Sequence, residues 1–347
     1  MNSLKISIAF IIPLILFSCE KLSDNSDPDT LDSVLKGEGT FIINEGNYQA
    51  GNGSLSFYSY SNGKIYNDIF SAVNARTLGD VPNSVTINGN NAYIVVNNTG
   101  NIEVVEKNSM RSLKTISSLN SPRNMLIVSN EKAYVSSLYS KNLAVINLST
   151  NAVSGYIALR RSSESIVMIG NKAFISSWSQ GKEIMVVNTV TDKATDSILV
   201  APEPESMVVD RNQKLWVLCS GGYTGLVHAE LDQINPFTYA IEKQFVFPSK
   251  LSYPTCLQLN KTKDTLYYVD NGIWRMSIDA AILPSTPFVR PAGRFIYKLG
   301  ADPRYNRIFY TDALDYKQKG YVIQINSKGL QVDSCRADII PGSFCFK

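Results

Sequence analysis

The sequence predicts an all-β chain folded as a seven-bladed β-propeller, and three observations predict it. A unit of short apolar runs separated by polar turns recurs six times between about Pro82 and Ile339. In each unit the second run opens on an aromatic residue: Tyr93, Tyr134, Phe174, Trp216, Tyr267 and Phe309, spaced 41, 40, 42, 51 and 42 residues apart. A period of about 40–45 residues holding four short strands is that of a propeller blade. The two ends of the chain hold complementary parts of a seventh unit.

From the N-terminus, one cation, Lys5, precedes an apolar run from Ile6 to Phe17. The run is too short for a typical spanning helix and fits the hydrophobic segment of a secretory signal. It ends in "LFSC" (Leu16 to Cys19), which resembles a bacterial lipobox. That resemblance implies removal of residues 1–18 and lipidation of Cys19 as the first residue of the mature chain. An ordinary cleaved signal with an unrelated cysteine is the alternative. One acyl chain holds a protein on a membrane only marginally, whereas several hold it stably. The following "EKLSDNSDPDTLDS" is polar, acidic and poor in large apolar residues, so residues 19–36 are expected to form a flexible tether and 37–347 the propeller. An acidic run after a lipidated cysteine also resembles the surface-export signal of Bacteroidetes lipoproteins, which implies an outer-membrane protein facing the cell exterior.

Without Lys5 the chain has 32 basic against 30 acidic residues and no basic run, which argues against a nucleic-acid partner. Beyond Cys19 there are four cysteines, Cys219, Cys256, Cys335 and Cys345. An exported protein is permitted disulfides; a Cys335–Cys345 bridge and buried thiols are the two readings. There is no CxxC, and the single histidine, His228, falls in an expected third strand. Neither a metal site, a cofactor nor a Ser/His/Asp set is therefore expected.

The repeated units run "PNSVTINGNNAYIVVNNTGNIEVVEK" from Pro82, "PRNMLIVSNEKAYVSSLYSKNLAVINL" from Pro122, and so on to "FIYKLGADPRYNRIFYTDALDYKQKGYVIQI" from Phe295. Their runs are rich in Val, Ile, Tyr and Phe and bounded by Asn, Gly, Asp and Ser, as strands are. A fourth piece such as "RSLKTI" or "EKQFVF" follows in most units, and "DAAILP" (Asp279 to Pro284) reads as one helical turn. Gly39 to Phe70 reads as the second to fourth strands of a blade lacking its first. The tail "PGSFCFK" supplies that strand, because Pro341-Gly342-Ser343 echoes Pro82-Asn83-Ser84. Blade one is thus expected to be closed by both termini, pairing edges that would otherwise stay open.

Up-and-down connectivity places two sets of loops on one face of such a ring. The loops leading into the innermost strands carry Asn83, Arg123, Asn124, Glu164 and Glu205, and the loops after the second strands carry Glu45, Asn47, Tyr48, Asn98, Tyr139, Trp178, Tyr223 and Tyr316. These thirteen are the candidate ligand-binding residues. Rigid aromatics among small polar residues bind at low ordering cost, although any one of them can instead pack on a neighbouring blade. Glu45, Glu164 and Glu205 are carboxylates of the kind used in glycosidic acid–base chemistry, but more often such groups are solvated or bind a ligand. "NEGNYQAGNGSL" lacks GK[ST] and opens no helix, so it is not a phosphate cradle.

"PNSVTINGNNAYIVVNN" and "EPESMVVDRNQKLWVL", with "FIINEGN" in blade one, resemble the YncE-like seven-bladed propeller family over essentially Gly37 to Lys347. With the lipobox and acidic tether, the chain is similar to Bacteroidetes surface lipoproteins of the BtuG type. The resemblance implies a non-enzymatic protein that captures a bulky, scarce nutrient and delivers it to a TonB-dependent outer-membrane transporter. The implied ligand is a corrinoid such as cobalamin, with a ferric siderophore second. The rivals are a propeller enzyme acting on glycans or lactones and a protein-interaction scaffold.

Overall fold

The four strands of a blade differ in burial, and the sequence of each follows from where it lies. The second strand is covered on both faces and reads as an unbroken apolar run: Leu215–Cys219 is buried throughout, and Asn91–Val96 at every position after the first. The outermost strand meets solvent, so "KATDSIL" at Lys193–Leu199 is exposed except at Ile198. The innermost strands, such as Pro82–Asn88, are mostly half-buried.

The computed structural model describes residues 28–290 and 293–347. Within them seven antiparallel sheets are strung along the chain. Blade one joins Pro341–Phe346, Gly39–Asn44, Ser54–Ser59 and Ile65–Tyr66. The tail pairs antiparallel with the N-terminal strand in the register Thr40↔Phe346, Phe41↔Cys345 and Ile42↔Phe344. The innermost strands of blades two to seven begin at Pro82, Pro122, Ile166, Pro204, Thr255 and Leu299. Each lies against the innermost strand of the next blade, and the last returns to Pro341–Phe346, so the ring is closed. The hydrophobic core is divided among the gaps between blades. One such layer sets Tyr93, Val95, Ile102 and Val104 of blade two against Ala133, Val135, Ala144 and Ile146 of blade three.

The structure departs from the sequence reading in three places. Pro28–Lys36 is a helix, and its Leu31 and Leu35 are buried with Phe41, Phe57 and Phe70; two leucines one helical turn apart make one apolar edge, so packed structure begins before the expected end of the tether at residue 36. Blade six has three strands, and "DAAILP" forms no helical turn; in place of a fourth strand, Val289 makes a single bridge to Ile273. His228 lies just ahead of its third strand, Glu230–Ile234, and its Nδ1 bonds the Phe247 carbonyl at 2.7 Å. Among the described residues no disulfide joins Cys335 to Cys345; the Cys335 thiol donates to the Gly63 carbonyl at 3.7 Å. The signal segment and Cys19 lie outside the described residues. No helix among the described residues is long and apolar enough to cross a membrane.

Candidate functional site

Seven positions leading into the innermost strands are equivalent in register: Asn83, Arg123, Glu164, Glu205, Thr255, Tyr297 and Gly342. Some of these side chains, and their neighbours, join blades. Asn83 Nδ2 donates to the Arg123 carbonyl at 2.7 Å, Asn124 Nδ2 donates to the Glu164 carbonyl at 3.1 Å, and the Ser343 hydroxyl donates to the Asn83 carbonyl. Arg123, Glu164, Glu205, Thr255 and Tyr297 instead line a cavity of about 760 Å³.

The cavity has an aromatic wall. Tyr223 stacks on Tyr253 with ring centroids 4.7 Å apart, and Tyr316 stands edge-on to Tyr297 at 5.6 Å, with Phe295 beside it. Trp178 completes the set, and its buried Nε1 has no hydrogen-bond partner among the described residues. Tyr316 has φ 61°, a left-handed backbone that costs a non-glycine residue of order 1–3 kcal/mol. Its loop is held in that shape by Asp312 and Asp315, whose carboxylates accept backbone N–H groups of Leu314, Lys317 and Gln318, and by Asn47 Nδ2, which donates to the Tyr316 carbonyl at 2.6 Å.

The charged groups are held by named partners. The backbone N–H of Glu45 bonds the Ile340 carbonyl at 2.9 Å, and that of Gly46 bonds Ile339 at 3.1 Å, so the tail positions this loop. The Glu45 carboxylate accepts the Tyr297 hydroxyl at 3.0 and 2.9 Å. Burial, and then the charge of Glu45, pushes the Tyr297 phenol well above its ordinary range, which keeps it a donor. Gly342 makes this possible: a Cβ there would lie 2.8 Å from Glu45 Oε1. Arg123 Nε pairs with Glu164 Oε2 at 2.8 Å. Glu205 Oε2 accepts the Cys256 backbone N–H at 2.9 Å. Burial pulls the Lys298 ammonium down, but the attraction of Cys256, Tyr297, Glu205 and Glu45 outweighs it, and its pKa is raised.

Seven of the thirteen expected residues therefore meet at one cavity: Glu45, Arg123, Glu164, Trp178, Glu205, Tyr223 and Tyr316. The other six do not line it. Asn83 and Asn124 join blades, Asn47 holds the Tyr316 loop, and Asn98 bonds Asp80. Tyr48 and Tyr139 are 70% and 75% exposed. Sequence reasoning missed Tyr253, Asp270, Arg290, Arg294, Phe295, Tyr297 and Lys298. For Tyr297 and Lys298 a signal was present, since they occupy the register of Arg123 and Asn124 but follow Ile296 where most units have proline. Among the described residues no group of three or more His, Cys, Asp or Glu side chains could hold a metal ion.

A closed ring of seven blades, with an aromatic and charged cavity where the loops enter its inner strands, defines the class: a seven-bladed β-propeller carrying a candidate ligand site on one face. The chain belongs to the family described as a domain of unknown function, DUF5074, whose profile matches residues 38–331. No curated protein matches the sequence. Among solved structures, it is similar to a quinoprotein alcohol dehydrogenase-like protein of Bacteroides thetaiotaomicron, with TM-score 0.70 and 12% identity over 90% of this chain and 78% of that one. It is also similar to a candidate 6-phosphogluconolactonase of Bacteroides uniformis, with TM-score 0.69 and 12% identity over 89% of this chain and 99% of the other. Virginiamycin B lyase of Staphylococcus aureus matches with TM-score 0.58 and 11% identity, over 74% and 84%. Likeness at this identity establishes the fold alone.

Proposed function

We propose that the chain is a lipid-anchored, surface-exposed capture protein that seats a bulky organic ligand in this cavity and delivers it to a TonB-dependent outer-membrane transporter. The observation that carries the reading is the wall: Trp178, Tyr223, Tyr253, Phe295, Tyr297 and Tyr316 surround one opening of about 760 Å³. That volume lies in the range of about 300–1,000 Å³ used for organic ligands. Aromatic faces bind such ligands at low ordering cost. A corrinoid, broad and fringed with amides, would lie across the mouth, whereas a compact ferric siderophore would enter it. The anchor in this reading is Cys19, from the lipobox-like "LFSC".

The test is to incubate the protein with a corrinoid and, separately, with a ferric siderophore, desalt it, and record its absorption spectrum. One chromophore is expected to travel with the wild-type protein and to be lost from Trp178→Ala. Neither chromophore travelling with it would overturn the reading. A second reading, an enzyme acting on glycans or lactones, draws on Glu45, Glu164 and Glu205 sharing the cavity. Each of these carboxylates is already engaged by Tyr297, Arg123 or the Cys256 amide, which favours a binding wall over a free acid–base pair. Turnover of a lactone or glycan panel, abolished in Glu205→Gln, would favour the enzyme instead.

A further inference from the structure

We propose that Lys298 seats a negatively charged group of the ligand, so that the cavity prefers bulky aromatic anions to neutral molecules of the same size; this rests on reading the cavity as a capture site. The argument is an asymmetry among the charged residues of the wall. Arg123 is paired with Glu164, and Glu45 and Glu205 accept protein N–H or O–H donors. The cations beside blade seven are not matched in this way. Among the described residues, no carboxylate lies within ion-pairing distance of Lys298 or Arg290. Lys298 Nζ makes no ion pair or hydrogen bond among the described residues; it has the face of Tyr297, 5.4 Å from the ring centroid, and the longer-range attraction of Glu205 and Glu45. Arg294 lies over the Tyr321 ring and reaches Asp312 only at 3.5 Å.

A half-buried ammonium has lost part of its hydration, and a ligand anion placed beside it restores the lost interaction. Lys298 sits where an inner strand begins, fixed by two bonds of its backbone to Thr311, the N–H to the hydroxyl at 3.1 Å and the carbonyl to the N–H at 2.9 Å. It is therefore a rigidly placed base for a flexible cation. The neighbouring aromatic rings would cover the rest of a ligand held by its anionic group. Carboxylate-, sulfonate- and catecholate-bearing molecules share this chemistry.

The experiment titrates the full chain, by quenching of tryptophan fluorescence, with a trianionic ferric tris-catecholate and a neutral ferric trihydroxamate of similar size. A third titration uses anilinonaphthalene sulfonate, a small aromatic anion. The tris-catecholate should bind about tenfold or more tightly than the trihydroxamate, a difference of about 1.4 kcal/mol. Lys298→Met should weaken the tris-catecholate far more than the trihydroxamate and so remove that preference, and Lys298→Arg should retain it. Equal binding of the two chelates to wild type, or a preference unchanged in Lys298→Met, overturns the proposal while leaving capture intact. If neither chelate binds, siderophore capture by this cavity falls, corrinoid capture being tested separately, and the sulfonate decides: binding that is lost in Lys298→Met supports the anion seat, and binding that is absent or unchanged overturns it. Should Lys298→Met lose its cooperative melt, the wild-type ratio between the chelates and its fall with added salt decide alone.

Discussion

Replacing Asp232 by Asn should remove a pH-dependent weakness built into the gap between blades four and five. Asp232 stands in the third strand of blade five, opposite Val217, and is fully buried with neither carboxylate oxygen hydrogen-bonded among the described residues. The equivalent place in blade two is Glu103, opposite Ile94, and the contrast is informative. Glu103 is also buried, but it pairs with Arg76 at 2.7 Å and accepts Asn101 and Thr115. Lacking such partners, Asp232 is pushed by burial, and secondarily by Glu230, from an ordinary 3.8 to about 7. An acid raised on folding stabilises the fold only while protonated. Its contribution is present below the unfolded value of 3.8 and is lost as pH rises through about 7. A tenfold change in proton affinity is worth about 1.4 kcal/mol, so the loss across this window is of order 2–4 kcal/mol. The amide of Asn cannot ionise and carries no such loss. Urea denaturation of both proteins at pH 5 and pH 8 measures it: relative to wild type, Asp232→Asn should gain about 2 kcal/mol or more on going from pH 5 to pH 8. A stability difference that is the same at both pH values would show that Asp232 does not titrate in a buried site, and would refute the reasoning.

Three further outcomes are expected. Deleting Ser343 to Lys347 removes most of the strand paired with Gly39–Asn44 and should cost several kcal/mol of a total of about 5–15; an unchanged melting temperature would contradict that pairing. Trp178→Ala should weaken ligand binding by about 2 kcal/mol, roughly thirtyfold, in calorimetry, while Tyr139→Ala, outside the cavity, should leave it unchanged. Cys19→Ala should release the protein from the membrane fraction or leave it unprocessed, and a processed, membrane-bound variant on fractionation would rule out the anchor.

The ring was legible because its repeat is written at the residue level: a run buried on both faces must be apolar throughout, and its aromatic opener returns every 40 or so residues. The joint blade was legible because Pro341-Gly342-Ser343 copies a start that has no continuation after it. What the sequence concealed is direction. An asparagine leading into an inner strand reads the same whether it faces the cavity or, like Asn83 and Asn124, reaches for the next blade's carbonyl. The wall residues Arg290, Arg294, Phe295, Tyr297 and Lys298 were hidden because no apolar period runs through that stretch of sequence to place them. The helix at Pro28–Lys36 was hidden because two leucines in a polar stretch look like a tether until the surface that buries them is known.

The bonds from Glu45 and Gly46 to Ile340 and Ile339 also bear on assembly. Thr40 and Cys345 touch across a sequence separation of 305, so Gly39–Asn44, paired on one edge with Ser54–Ser59, keeps its other edge open until Pro341–Phe346 is in place. Pairings of such range form late and slowly. Until that pairing forms, neither the ring nor the Glu45 wall of the cavity is assembled. Copies shortened by a few residues would lose the closing strand and the backbone groups that aim Glu45 together. Ring closure thereby makes the site depend on a strand distant in sequence: Glu45 is aimed only once Pro341–Phe346 is paired.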